Sequence, residues 1–223
     1  MNPPTIEPLT HPLRDRVLTA GPDLLIAVVY LLTWISPRVF GDDTVQNLIF
    51  IVVFEFVILH SASALVAILI GRLGDGKGTG CLLAVSLFYL LFAVGFAFVI
   101  KAWWPVLAIL GLTYNRVQTL WQQPREGRRA RLHVIATWGL TFGFYVALFI
   151  VVHLIPWPPL GIDAVLVEDL LAQGSGSLLE KPQIALVFGL IYYGGIGLAE
   201  WLDFFNKATD RITALFSGWR YGA

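Results

Sequence analysis

Residues 48–70 form an apolar run of 23 residues, broken near its middle only by Glu55 and His60. At a helical rise of about 1.5 Å per residue, such a run crosses the roughly 30 Å hydrocarbon core of a bilayer. The chain is therefore predicted to fold with lipid as the solvent for most of its surface. An ionisable group at mid-bilayer costs at least about 2.5 kcal/mol on insertion scales, which makes Glu55 and His60 the first candidates for function.

Composition agrees with that class. Apolar residues make up 57% and charged residues 13% of 223, far from soluble-domain averages, and no polar segment is long enough for a separate soluble domain. One integral membrane domain is expected over 1–223. The formal charge of zero argues against nucleic acid as a partner, although an even total conceals an uneven distribution. Cys81 is the only cysteine, which excludes an intrachain disulfide and a thiolate metal cluster. The first 20 residues are polar and carry Pro3, Pro4, Pro8 and Pro12, unlike a cleavable signal peptide. The first apolar segment is thus expected to stay as an anchor.

Apolar segments fall at about 22–40, 46–70, 82–100, 103–120, 132–155 and 184–204. The first spans only if Pro22 opens its helix and Val39 and Phe40 are included; the fourth could instead be the tail of one long helix with the third. Charge decides, because basic residues in short loops stay on the cytoplasmic side. Six spans with both termini inside place Arg14, Arg16, Arg72, Lys77, Arg116, Arg125, Arg128, Arg129, Arg131, Lys207, Arg211 and Arg220 inside. Only Arg38, Lys101 and Lys181 then lie outside. Merging segments three and four spoils that asymmetry. Trp34, Trp103, Trp104 and Trp157 fall at outer boundaries and Trp121 and Trp201 at inner ones, where an amphipathic indole is best placed. The expected fold is an all-α, six-span bundle, multi-pass in the cell (inner) membrane.

Two further elements are predicted. The outer segment 156–182 is acidic, with Asp163, Glu168, Asp169 and Glu180, and its residues 163–172 have the cap and spacing of a short surface helix. After the last span, Phe205, Ala208, Ile212, Leu215, Phe216 and Trp219 recur at helical spacing, as in an interfacial amphipathic helix over about 205–219.

For chemistry, Glu55 and His60 are five residues apart, about 7.5 Å along the axis and on different faces. That spacing does not suit helical metal ligands. It leaves either a proton or cation pathway between helices, with Glu55 as carboxylate, His60 as relay and Glu200 as inner exit, or a packing role through hydrogen bonds. His133 and His153 are some 30 Å apart on one helix and cannot share a metal. The glycine-rich run 71–80 nearly matches the phosphate-binding loop but has Gly78 where magnesium needs a hydroxyl, and no strand precedes it. A hinge between spans explains it better. Gly139 with Gly143, and Gly195 with Ala199, are small-residue pairs suited to close helix packing. Arg125, Arg128, Arg129 and Arg131 suit anionic lipid headgroups or simply fix topology.

No nucleophile elbow, helical metal-ligand pair or hydrolytic carboxylate dyad is present, so enzyme is the least favoured class and no cofactor or metal is implied. Two functional expectations remain. One is a small channel or permease for protons or small ions using Glu55 and His60. The alternative is a non-catalytic anchor or assembly subunit of a larger membrane complex, with other subunits or further copies as partners beside the lipid bilayer.

Overall fold

A computed structural model describes residues 13–72, 77–99, 103, 106–107, 110, 128–173, 176–204, 207–208 and 211. Among these every regular element is a helix: α1 (Leu13–Ile35), α2 (Thr44–Arg72), α3 (Lys77–Val99), α4 (Arg128–Leu154), α5 (Ala164–Gln173), α6 (Ser177–Glu180) and α7 (Pro182–Trp201). Most of the expected fourth span, residues 73–76 of the glycine-rich run, all of the expected interfacial helix except 207–208 and 211, and Lys101, Arg116, Arg125 and Arg220 lie outside the described residues.

α1 departs from the expected boundaries in a telling way. Pro22 does not open the helix; it lies inside it, nine residues after Leu13, and the helix stops at Ile35 before Val39 and Phe40. A proline there leaves the carbonyl four residues back without its helical donor, a loss that helices in lipid tolerate when other groups satisfy the backbone. The consequence is that Asp23 sits in mid-helix.

α7 is the centre of the bundle. It packs against α1, α2, α4 and α6, whereas α3 packs against α2. Two glycines explain how closely α1 approaches: a Cβ on Gly189 would run into the ring of Tyr30, and one on Gly197 would lie 2.8 Å from Leu24 Cγ. Inside lipid, where burying apolar groups gains little over contact with acyl chains, such backbone approach is what holds helices together. The pairs Tyr30 with Gly189 and Leu24 with Gly197 show that α1 and α7 run antiparallel. Antiparallel pairing also joins α2 to α1 (Tyr30 with Leu48) and to α4 (Tyr145 with Val52, Trp138 with Leu59). Phe54 with Phe96 and His60 with Tyr89 do the same for α2 and α3.

These directions gather the basic residues. The start of α1, the end of α2, the starts of α3 and α4 and the end of α7 share one end of the bundle, so Arg14, Arg16, Arg72, Lys77, Arg128, Arg129, Arg131 and Lys207 lie there. The opposite end holds Arg38 and Lys181 beside Asp42, Asp43, Asp163, Glu168, Asp169 and Glu180. That acidic end is tied down. Trp34 Nε1 donates to the Pro158 carbonyl at 3.0 Å, and the Gly161 N–H donates to the Trp34 carbonyl at 3.2 Å. Asp163 Oδ1 accepts the Leu166 N–H at 2.8 Å, capping α5, the short helix anticipated across 163–172.

Among the described residues two helices, Arg16–Ile35 and Pro182–Trp201, are long and apolar enough to cross a membrane, and Thr44–His60, Ala84–Phe98 and Trp138–Leu154 are shorter apolar stretches. α1 exposes Leu18, Leu25, Val28 and Leu32 on the side away from its buried Ala20, Ala27 and Tyr30. α3 likewise exposes Leu87, Phe88, Leu91 and Phe98 opposite its buried Tyr89, Ala93 and Ala97.

Candidate functional site

On α2 the buried stripe Val45, Leu48, Val52 and Leu59 follows a three-four spacing that passes through position 55. Glu55 therefore occupies a core position, directed at α7. Two neighbouring residues of α7 receive it: Tyr192 Oη donates to Oε1 at 3.2 Å, and Tyr193 Oη donates to Oε2 at 3.4 Å. Adjacent helical residues point about 100° apart, so the two rings straddle the carboxylate, Tyr192 toward α4 and Tyr193 toward α1.

Two further tyrosines complete the cluster. Tyr145 of α4 meets Tyr192 edge-on at 5.2 Å and donates its hydroxyl to the Val52 carbonyl at 2.8 Å. Tyr30 of α1 stacks on Tyr193 at 5.8 Å and donates to the Leu48 carbonyl at 2.8 Å. Every one of the four hydroxyls ends on an acceptor of α2, so no tyrosine O–H in this buried layer is left without a partner.

Toward the basic end, two more carboxylates follow. Asp23 shares the buried face of α1 with Ala20, Ala27 and Tyr30, being three, four and seven residues from them. Glu200 lies on the α7 face that carries Gly189, Tyr193 and Gly197, the face against α1. Asp23 adjoins Leu24, which lies against Gly197 of α7, three residues before Glu200. Glu200 Oε2 is buried and has no hydrogen-bond partner among the described residues. The arrangement is a series of three carboxyl groups on three helices, flanked by hydroxyl donors at one end.

His60 is placed elsewhere. Its ring stacks on Phe56 at 5.8 Å and meets Tyr89 of α3 edge-on at 6.4 Å, on the α2 face away from α7. Of the small-residue pairs, Gly195 lies beneath Phe144 of α4, with Ala199 one turn on and half-buried. Gly139 and Gly143 are exposed, and a Cβ on either would meet nothing within 4 Å among the described residues. Arg128, Arg129 and Arg131 begin α4 at the basic end. Among the described residues no group of three histidine, cysteine, aspartate or glutamate side chains could hold a metal ion.

Asp23 and the four tyrosines were missed by the sequence reading. A signal existed for Asp23, since an acid within an apolar segment is costly wherever the helix does not end beside it. For the tyrosines the signal was their hydroxyls, each of which needs a partner when placed in an apolar helix. No protein-family model matches the chain, and no characterised protein or solved structure is significantly similar to it.

Proposed function

We propose that this chain is a six-span membrane protein with both termini inside, and that it moves protons or small cations through the series Glu200, Asp23 and Glu55. The observation that carries the reading is Glu55 itself: a carboxyl group in a core position of α2, held by two hydroxyls of α7. Fixed hydroxyls can receive and donate hydrogen bonds to either protonation state of a carboxyl, which suits a group that gains and loses a proton without repacking. In this proposal Asp23 takes the intermediate place that spacing alone assigned to His60.

Six traverses are supported by direction. α3 and α4 both run antiparallel to α2, hence parallel to each other, and the chain leaving α3 at one end must return before α4 begins at the other. The basic end then faces the cytoplasm. Apolar side chains on the outward faces of α1 and α3 suit lipid, because soluble monomers seldom expose apolar surface in long stripes.

Proton flux into liposomes containing the purified protein, driven by a potassium diffusion potential and read with an entrapped pH dye, tests the function. Glu55→Gln and Asp23→Asn are expected to abolish flux above that of empty liposomes, with His60→Gln retaining it. Full flux in Glu55→Gln would assign the carboxylate to packing. The second reading, an assembly subunit, draws on the Gly139 and Gly143 face of α4, which meets nothing within 4 Å among the described residues, and would then be tested by purification in mild detergent with its partners.

A further inference from the structure

The two halves of the bundle on either side of Glu55 differ sharply. Toward the acidic end, every helix that surrounds the carboxylate contributes fully packed side chains. Tyr30 of α1, Val52 of α2, Val152 of α4, and Leu186, Val187 and Phe188 of α7 are all at most 1% exposed. Ile162, Leu166 and Leu170 of the capped outer segment join the same core. Among the described residues this layer is closed to solvent, and its apolar side chains offer a water chain few polar partners. Toward the basic end Ala20 and Gly197 are still buried, but Asp23 and Glu200 are only partly so, and Gly194, Gly195 and Ile196 of α7 are less covered than Tyr192 and Tyr193 before them.

The titratable groups that face Glu55 are Tyr192 and Tyr193 from α7, Tyr145 from α4, and Tyr30 and Asp23 from α1. From α3 the nearest such ring is Tyr89, which lies against His60. Of these, Asp23 alone continues as a carboxyl series, and it continues toward the basic end.

We infer that Glu55 exchanges protons with the basic, inward face alone in this conformation, so that the chain is a gated carrier with its outer barrier closed and not an open channel. The barrier is the layer of Tyr30, Tyr145, Val52 and Phe188. An open channel would need polar groups through both halves; among the described residues the outer half of the core is apolar apart from the tyrosine hydroxyls bonded to α2 and Thr33, a single buried hydroxyl with no carboxyl group beside it. The inference rests on the transport reading only for its biological meaning, since proton access to Glu55 is measurable without flux.

Infrared difference spectroscopy on sealed vesicles of each orientation, with the pH stepped on the exposed face only, decides it. The carboxyl C=O stretch of Glu55 is identified as the band lost in Glu55→Gln, or moved in Glu55→Asp should the first variant fold poorly. That band is expected to follow pH steps on inverted vesicles, whose inner face is exposed, and not on right-side-out vesicles. A response from the outer face, from both faces or from neither would overturn the inference. One-sided access with Glu55-independent flux would instead remove the transport reading and leave the sidedness intact.

Discussion

Tyr192 and Glu55 lie 137 residues apart in the chain, and the hydroxyl of the first donates to the carboxylate of the second at 3.2 Å, fastening α7 to α2 at the centre of the bundle. The bond is charge-assisted whenever Glu55 is ionised, and its partner from Tyr193 is longer at 3.4 Å, so Tyr192 is the stronger contact. Interhelical hydrogen bonds in membrane proteins average about 0.6 kcal/mol, with an upper range of about 1.7 kcal/mol. A double-mutant cycle of Glu55→Gln with Tyr192→Phe, read by thermal unfolding in detergent, is expected to give a coupling toward that upper value. The cycle of Glu55→Gln with His60→Ala is expected to be additive within about 0.5 kcal/mol, as for sites on separate faces. Equal coupling in both cycles would contradict the placement of His60 against Phe56 and Tyr89.

Removing the carboxyl group altogether separates its packing role from its proton chemistry. Glu55→Ala leaves two buried hydroxyls without their acceptor, at about 1–3 kcal/mol for each group left unsatisfied. Glu55→Gln keeps one acceptor oxygen and the side-chain volume, so it is expected to unfold at a clearly higher temperature than the alanine variant. The two variants should nevertheless be equally inactive in proton flux. Melting curves that coincide would mean the hydroxyls find other acceptors.

Glycines in the same bundle are predicted to behave oppositely. In Gly189→Ala the new methyl would enter the Tyr30 ring, which is itself held by its bond to the Leu48 carbonyl and cannot swing away freely. Overpacking of this kind costs about 1–3 kcal/mol. Gly143→Ala meets nothing among the described residues, and replacing glycine by alanine in a helix interior gains up to about 1 kcal/mol. Melting temperatures of the purified variants check both signs; a neutral Gly189→Ala would show that α1 does not sit so close to α7.

The contrast between these glycines shows what was legible in the sequence. Helical periodicity, apolar runs and the oddity of Glu55 follow from single segments, because each depends on how one helix meets its solvent. Which face of that helix meets a neighbour depends on the other helices. The four-residue rule picked Gly139 with Gly143 and Gly195 with Ala199, yet the close approach to α1 uses Gly189 and Gly197, eight residues apart with Tyr193 between them. Pro22 misled for a local reason: its missing N–H costs least at a helix start, and in a helix opened there an acid at position 23 would belong to the first turn and draw no notice. The tyrosines stayed invisible because an O–H partner on another helix, such as the Val52 carbonyl for Tyr145, has no trace in the tyrosine's own segment.

Direction of the chain supplies the last test. α3 and α4 both pair antiparallel with α2, through Phe54 with Phe96 on one side and Tyr145 with Val52 on the other, so Trp103, just beyond α3, and Arg128, at the start of α4, belong to opposite ends of the bundle. In a background lacking the single native thiol through Cys81→Ser, Trp103→Cys is expected to react with a membrane-impermeant maleimide from outside intact cells. Arg128→Cys is expected to react only after the membrane is opened. Exposed Asp42→Cys and Glu168→Cys, at the acidic end, should label with Trp103→Cys. If Trp103 and Arg128 labelled from the same face, the chain would not return between α3 and α4. The basic residues would then be split between the two sides, and the inward direction assigned to Asp23 and Glu200 would lose its basis.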